Sequence, residues 1–144
     1  DILRLMETDL QALPGVRQAV EAIGGARCVA SSTEKHHLVA NIRKAGLYDL
    51  FGENIFSASQ VRRAKPAPDV FLFAASQMGH DPRHCLVVED SVPGVLAAIR
   101  AGMRVVGYTG AAHDPVGMHQ KLLDAGAIHV VAHMDELPSV IGAL

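Results

Sequence analysis

Cysteine is scarce. The 144 residues hold two, Cys28 and Cys85, and they do not form a C-x-x-C pair. That excludes a disulfide scaffold. Each lies in an apolar, strand-like run and reads as a buried free thiol, which suits a reducing, cytoplasmic setting. An excess of positive charge is also missing. Lys and Arg number 13 against 15 Asp and Glu, for a formal net charge of −2. No basic run offsets that balance, so binding to nucleic acid by phosphate neutralisation is not expected. The longest apolar runs are strand-sized, so nothing spans a membrane. No signal-peptide pattern is visible, and the first residue is Asp1 rather than Met. The chain therefore reads as a segment of a longer protein. Metal-binding histidine spacings are absent too. His36, His37, His80, His84, His113, His119, His129 and His133 show neither H-E-x-x-H nor H-x-H. Most are expected at the surface; His113, in the Gly110–Pro115 loop, is the one to watch. The five methionines read as core filler.

What is present is apolar content, 49% of residues. That supports one domain with a substantial core, at a length typical of single domains (~100–150 residues), and it argues against disorder. The segments alternate in type. Helices are expected over Asp1–Leu13, Val16–Ile23, Ser32 or Thr33 to about Ala45, Pro68 to about Met78, Pro93–Ala101, Val116–Ala125 and Met134–Leu144. Short apolar strands are expected at Arg27–Ala30, Ile55–Ser57, Leu86–Val88, Arg104–Tyr108 and Ile128–Val131. Strands alternating with helices of ten or so residues indicate βαβ units and a parallel sheet. The continuously apolar C-L-V-V and R-V-V-G-Y suit strands covered on both faces. The fold class is α/β, a Rossmann-like doubly wound parallel sheet. In such sheets ligands bind beyond the carboxyl ends of the strands.

Three polar clusters fall at those ends. Ser31-Ser32-Thr33 places hydroxyls at a strand-to-helix turn, which makes an anion site or simply a helix cap. Lys65 stands before Pro66 and Pro68, in a segment stiff enough to hold an ammonium in place for a phosphate or carboxylate. The neighbouring Arg62 and Arg63 read as surface charges. Glu89-Asp90 puts two carboxylates at the end of a buried strand, which is costly without a cation or donors. Carboxylates combined with water and phosphate oxygens suit Mg²⁺; the alternative is a cap on the next helix. Together the clusters describe a site for phosphate and Mg²⁺.

These residues resemble the haloacid dehalogenase superfamily of phosphohydrolases, in its phosphoglycolate phosphatase and β-phosphoglucomutase-like branch. Ser31 in V-A-S-S-T is similar to the family's second motif, Lys65 in K-P-A-P-D-V-F to the third, and Glu89-Asp90 in V-V-E-D-S-V-P-G to the fourth. A-G-L-Y-D-L-F, Ala45–Phe51, also resembles this branch. The resemblance runs from about Leu13 to the C-terminus. It implies a haloacid dehalogenase-like core in which an Asp nucleophile forms an aspartyl-phosphate. A second Asp two residues later acts as acid and then base. It further implies that Ser31 donates to the phosphate, Lys65 neutralises its charge and Asp90 holds Mg²⁺. Glu89 would be a further ligand or a partner behind the ligands, and Ser32 and Thr33 would touch phosphate or substrate.

One departure stands out. The nucleophile motif, D-x-D-G-T or D-x-D-G-V, is absent from the sequence. Residues 1–13 read as the tail of a helical cap, and 14–144 as the core lacking its first strand, with two strand edges facing an empty slot. The leading expectation is Mg²⁺-dependent hydrolysis of small phosphate monoesters, sugar phosphates or phosphoglycolate-like acids, with the nucleophile upstream. The alternatives are a sugar-phosphate mutase of the same family, or an inactive phosphate- or protein-binding fragment. The expected partner is a small phosphorylated metabolite. The sequence does not indicate an oligomeric state.

Overall fold

The structure, a computed structural model, describes residues 3–7 by their backbone and 14–144 throughout. Among the described residues, six parallel strands form one sheet: β1 (Leu3–Glu7), β2 (Arg27–Ser31), β3 (Ile55–Ser57), β4 (Cys85–Glu89), β5 (Arg104–Tyr108) and β6 (His129–Val131). Their spatial order is β3-β2-β1-β4-β5-β6. This is the doubly wound order, with its reversal between β1 and β4. The connecting helices are α1 (Val16–Ile23), α2 (Lys35–Lys44), α3 (Tyr48–Phe51), α4 (Asp69–Met78), α5 (Val92–Arg100), α6 (Pro115–Ala125) and α7 (Leu137–Gly142).

Strand side chains alternate between two apolar layers, as the two-residue period of a strand requires. Leu86 and Val88 of β4 face the layer with α1, α2 and α7, where Val20, Leu38, Ile42 and Ile141 pack. Cys85 and Val87 face the opposite layer with α4, α5 and α6, packing among Phe71, Ala74, Val95 and Leu122. The expected thiols are there: Cys28 and Cys85 are free and fully buried. Met103 and Met134 are core residues, also as expected.

Three expectations are corrected. The helix expected over Asp1–Leu13 gives way, over Leu3–Glu7, to a strand; residues 1, 2 and 8–13 of that expectation lie outside the described residues. β1 occupies the slot expected to be empty, with Leu5 in register with Cys28 on one side and Val87 on the other. The physical reason is backbone pairing. A slot between two parallel strands presents unpaired N–H and C=O groups on both sides, and an inserted strand satisfies both rows at once. That outweighs a helical spacing in a short segment. Second, the cap of α2 is neither Ser32 nor Thr33 but Glu34, whose carboxylate accepts from the N–H groups of His36 and His37. Third, the closing helix divides into a 3₁₀ turn at Met134–Glu136 and α7, and the short α3 had no counterpart in the sequence reading. No described helix is long and apolar enough to cross a membrane.

Candidate phosphate site

β2 and β4 both point their carboxyl ends at the site, and the ends of both carry polar residues. Ser31, last in β2, is 3% exposed, and its hydroxyl oxygen accepts from the Thr33 N–H at 3.1 Å. The hydroxyl proton has no acceptor among the described residues, so Ser31 is a buried donor. Ser32 and Thr33 lie on the exposed turn that follows. Sequence reasoning missed Ser57, which is fully buried in β3 and in register with Ser31. Its hydroxyl donates to the Thr33 carbonyl and so fastens the turn.

Lys65 joins the two strands. Its side chain is 4% exposed, and its ammonium donates to the Ala30 carbonyl of β2 at 3.3 Å and to Glu89 Oε2 of β4 at 3.1 Å. It also stands 4.7 Å from the Phe71 ring centroid, a cation–π contact in a desolvated place. The bend that carries Lys65 is tied down by Arg100 of α5, which donates to the Pro66 carbonyl at 3.0 Å. Arg62 and Arg63 are on the surface, and Arg63 pairs with Asp69.

Glu89 is fully buried, and both of its oxygens are engaged. Oε2 takes the Lys65 ammonium, and Oε1 accepts from the backbone N–H groups of Asp90 and Ser91 and from the Ser91 hydroxyl. Of the two roles set out for Glu89, this arrangement favours the partner that orients Lys65. Asp90 is half-buried and extends the strand end toward solvent. Mg²⁺ keeps several waters and takes one or two carboxylates together with phosphate oxygens, so a half-buried carboxylate such as Asp90 fits it. Among the described residues no cluster of three or more metal-ligating side chains exists.

Gly94 closes the V-V-E-D-S-V-P-G run, and sequence reasoning gave it no role. A Cβ there would lie 1.9 Å from the Glu89 carboxyl carbon, so only glycine lets the first turn of α5 close over that side chain. The signal was available, since a glycine directly after proline inside a helical pattern is unusual. His113 is exposed on the β5–α6 loop, and His80 is hydrogen-bonded to the Met78 carbonyl. The structure thus brings Ser31, Lys65, Glu89 and Asp90 to one edge of the sheet and leaves Arg62 and Arg63 outside.

The architecture is that of a doubly wound α/β protein with a hydroxyl, a clamped lysine and a carboxylate pair at the carboxyl edge of its sheet. Over residues 2–102 the chain matches the haloacid dehalogenase-like hydrolases, and it belongs to that family. It is 27% identical over 140 residues, 97% of its length, to a 6-phosphogluconate phosphatase of Escherichia coli, covering 61% of that protein. To a phosphorylated carbohydrates phosphatase of Thermotoga maritima it is 32% identical over 132 residues, 89% of its length and 59% of the relative's. The crystal structure of a haloacid dehalogenase family hydrolase from Deinococcus radiodurans, with bound phosphate and sodium, superposes with a TM-score of 0.80 at 35% identity. That match covers 94% of this chain and 59% of the other. The chain therefore spans about three fifths of the length of these relatives.

Proposed function

We propose that this site belongs to an Mg²⁺-dependent phosphohydrolase of small phosphate monoesters, sugar phosphates among them, working through an aspartyl-phosphate. One observation carries the reading: Lys65 bridges the ends of β2 and β4 from a buried position, beside the buried hydroxyl of Ser31. Phosphoryl transfer spreads negative charge over three oxygens, and catalysis is mostly placement and neutralisation. Ser31 donates to one phosphate oxygen. Lys65, held by Glu89 and the Ala30 carbonyl, presents its charge to the phosphate without having to reorganise. Asp90 holds the metal, which when bound supplies further charge neutralisation on the phosphate oxygens. Ser32 and Thr33, exposed on the turn, meet the phosphate or its substituent. The nucleophile in this proposal is an aspartate outside the four site residues, supplied by further chain, in keeping with the greater length of the relatives. Its carboxylate forms a bond to phosphorus as the ester oxygen departs and takes a proton from a second aspartate. Water then cleaves the acyl phosphate. Two fully buried free thiols support a reducing, cytoplasmic setting.

The test is turnover of p-nitrophenyl phosphate by the full chain, with and without Mg²⁺. Activity that requires Mg²⁺ and falls by about three powers of ten in Asp90→Ala is the expected result, a loss of ~4 kcal/mol of transition-state stabilisation. Turnover that survives Asp90→Ala would overturn the metal assignment.

A further inference from the structure

The turn after Ser31 is fastened to the end of β3, and the hydrogen bonds there run in one direction. Ser57, last in β3, is fully buried and in register with Ser31. Its hydroxyl has one proton. The Thr33 carbonyl, 2.5 Å away, takes that proton, because a carbonyl oxygen can only accept. Toward Ser59, then, the Ser57 oxygen is the acceptor. The Ser59 N–H reaches it at 3.0 Å and the Ser59 hydroxyl at 2.8 Å. With one bond donated and two accepted, the Ser57 hydroxyl has no capacity left for a ligand. Ser59 itself is exposed, and its hydroxyl oxygen accepts at 3.2 Å from the N–H of Lys35, the first residue of α2. The Ser57 N–H donates to the Gln60 side chain at 2.9 Å, which closes the 3₁₀ turn Ala58–Gln60 over the strand end.

Thr33 passes this order on to Ser31. Its carbonyl is fixed by Ser57, and its N–H donates to the Ser31 hydroxyl oxygen at 3.1 Å. A hydroxyl oxygen that accepts on one side directs its proton to another, so the place of the Thr33 N–H decides where Ser31 can donate. Thr33 is exposed, and water competes for its backbone groups. The buried Ser57 hydroxyl settles that competition. The Lys35 N–H, the Ser59 hydroxyl, the Ser57 hydroxyl and the Thr33 carbonyl form one donor-to-acceptor chain. Hydrogen bonds in such a chain polarise and strengthen one another.

We propose that Ser57 is a positioning residue for the phosphate site: through Thr33 it aims the Ser31 hydroxyl at the phosphate, and Ser59 supports it. The proposal rests on the phosphohydrolase reading and deepens it, because a residue on a neighbouring strand sets the donor that meets the anion. A donor already aimed needs no reordering when the phosphate arrives. Loss of Ser57 therefore shows in phosphate affinity and not in stability alone.

Calorimetric titration of the full chain with inorganic phosphate tests it, on the parent, Ser57→Ala, Ser59→Ala, Ser31→Ala and the two double variants that include Ser31→Ala. Each is measured well below its thermal midpoint, so that folded protein is compared with folded protein. Ser57→Ala should weaken phosphate about 3- to 10-fold, the worth of one hydrogen bond. Ser59→Ala, at the surface, should weaken it in the same direction by about 2- to 3-fold. In the Ser31→Ala background neither should weaken it further, since the group they act on is gone. A purely structural role would lower the thermal midpoint and leave the affinity of the folded protein unchanged. Folded Ser57→Ala that binds phosphate like the parent, or losses that multiply in its double variant, overturns the proposal and leaves the phosphate site standing. If Ser57→Ala does not fold, Ser59→Ala decides: unchanged affinity, or a loss that persists beside Ser31→Ala, overturns it. Ser31→Ala with parental affinity takes Ser31 out of the site, and the proposal goes with it. If inorganic phosphate does not bind the parent at all, the phosphohydrolase reading fails and this proposal fails with it.

Discussion

At the scale of single residues, the Lys65–Glu89 pair governs the site. Both side chains are out of water, so each needs the other. Removing one partner of such a pair typically costs about 3–5 kcal/mol, because the survivor is left charged and buried. Replacing both with uncharged groups of similar shape is often close to neutral. Lys65→Met and Glu89→Gln should therefore each lower stability by about 3 kcal/mol in urea unfolding, and the double variant should recover most of that loss. Phosphate affinity should not recover in the double variant, because only stability is restored and the ammonium is gone. A double variant that binds phosphate like the parent would show that Lys65 plays no part in the site. The thiols make a second case. Burial pushes Cys85 up to about 11 and Cys28 well above the usual thiol range. The thiolate is the reactive form, so at pH 8 both should be silent to Ellman's reagent in the folded protein and titrate fully after unfolding. Fast labelling of the native protein would mean that these strands open readily.

At the scale of elements, what could be read from the sequence divides along a physical line. Local patterns sufficed where one element carried its own signal. C-L-V-V-E reads as a strand from its unbroken apolar run, and Arg104–Tyr108 has the bounds the sequence suggests. The three polar clusters were legible because strand ends in this architecture face one way. Pairings between distant residues were not legible. Nothing local to Glu89 says that Lys65, 24 positions earlier, takes one of its oxygens. Leu3–Glu7 failed for a related reason, since a short apolar run fits helix and strand alike until its neighbours are known. The strand assignment has a sharp consequence. β1 is paired on both sides, so its N–H groups serve the ladder. Leu5→Pro removes one N–H from a central strand, where proline is not tolerated. An unpaired buried acceptor costs about 1–3 kcal/mol before any clash is added. The thermal midpoint should then fall by at least ~4 °C. An unchanged midpoint would show that Leu3–Glu7 contributes nothing to the sheet.

At the scale of the whole molecule, the site is assembled from parts that the sheet brings together. Ser31 comes from β2, Lys65 from the bend before α4, and Glu89 with Asp90 from the end of β4. The three contributions are far apart in the unfolded chain, so whatever binds them together binds the folded state alone. Such a ligand raises stability by about 2.7 kcal/mol at 100 times its dissociation constant. For a chain of this length that is ~5–10 °C in thermal midpoint. The coupling has an order that separates the two charges. Mg²⁺ alone has one half-buried carboxylate, Asp90, and should raise the midpoint little. Phosphate alone meets Ser31 and the Lys65 ammonium and should raise it more. The two together should exceed the sum, because a bound cation and a bound phosphate would each offset the other's charge. In Asp90→Asn the phosphate increment should remain and the excess should vanish. In Lys65→Met the phosphate increment itself should be lost. Strictly additive increments, or an excess that survives Asp90→Asn, would mean that Asp90 does not join metal and phosphate in one site.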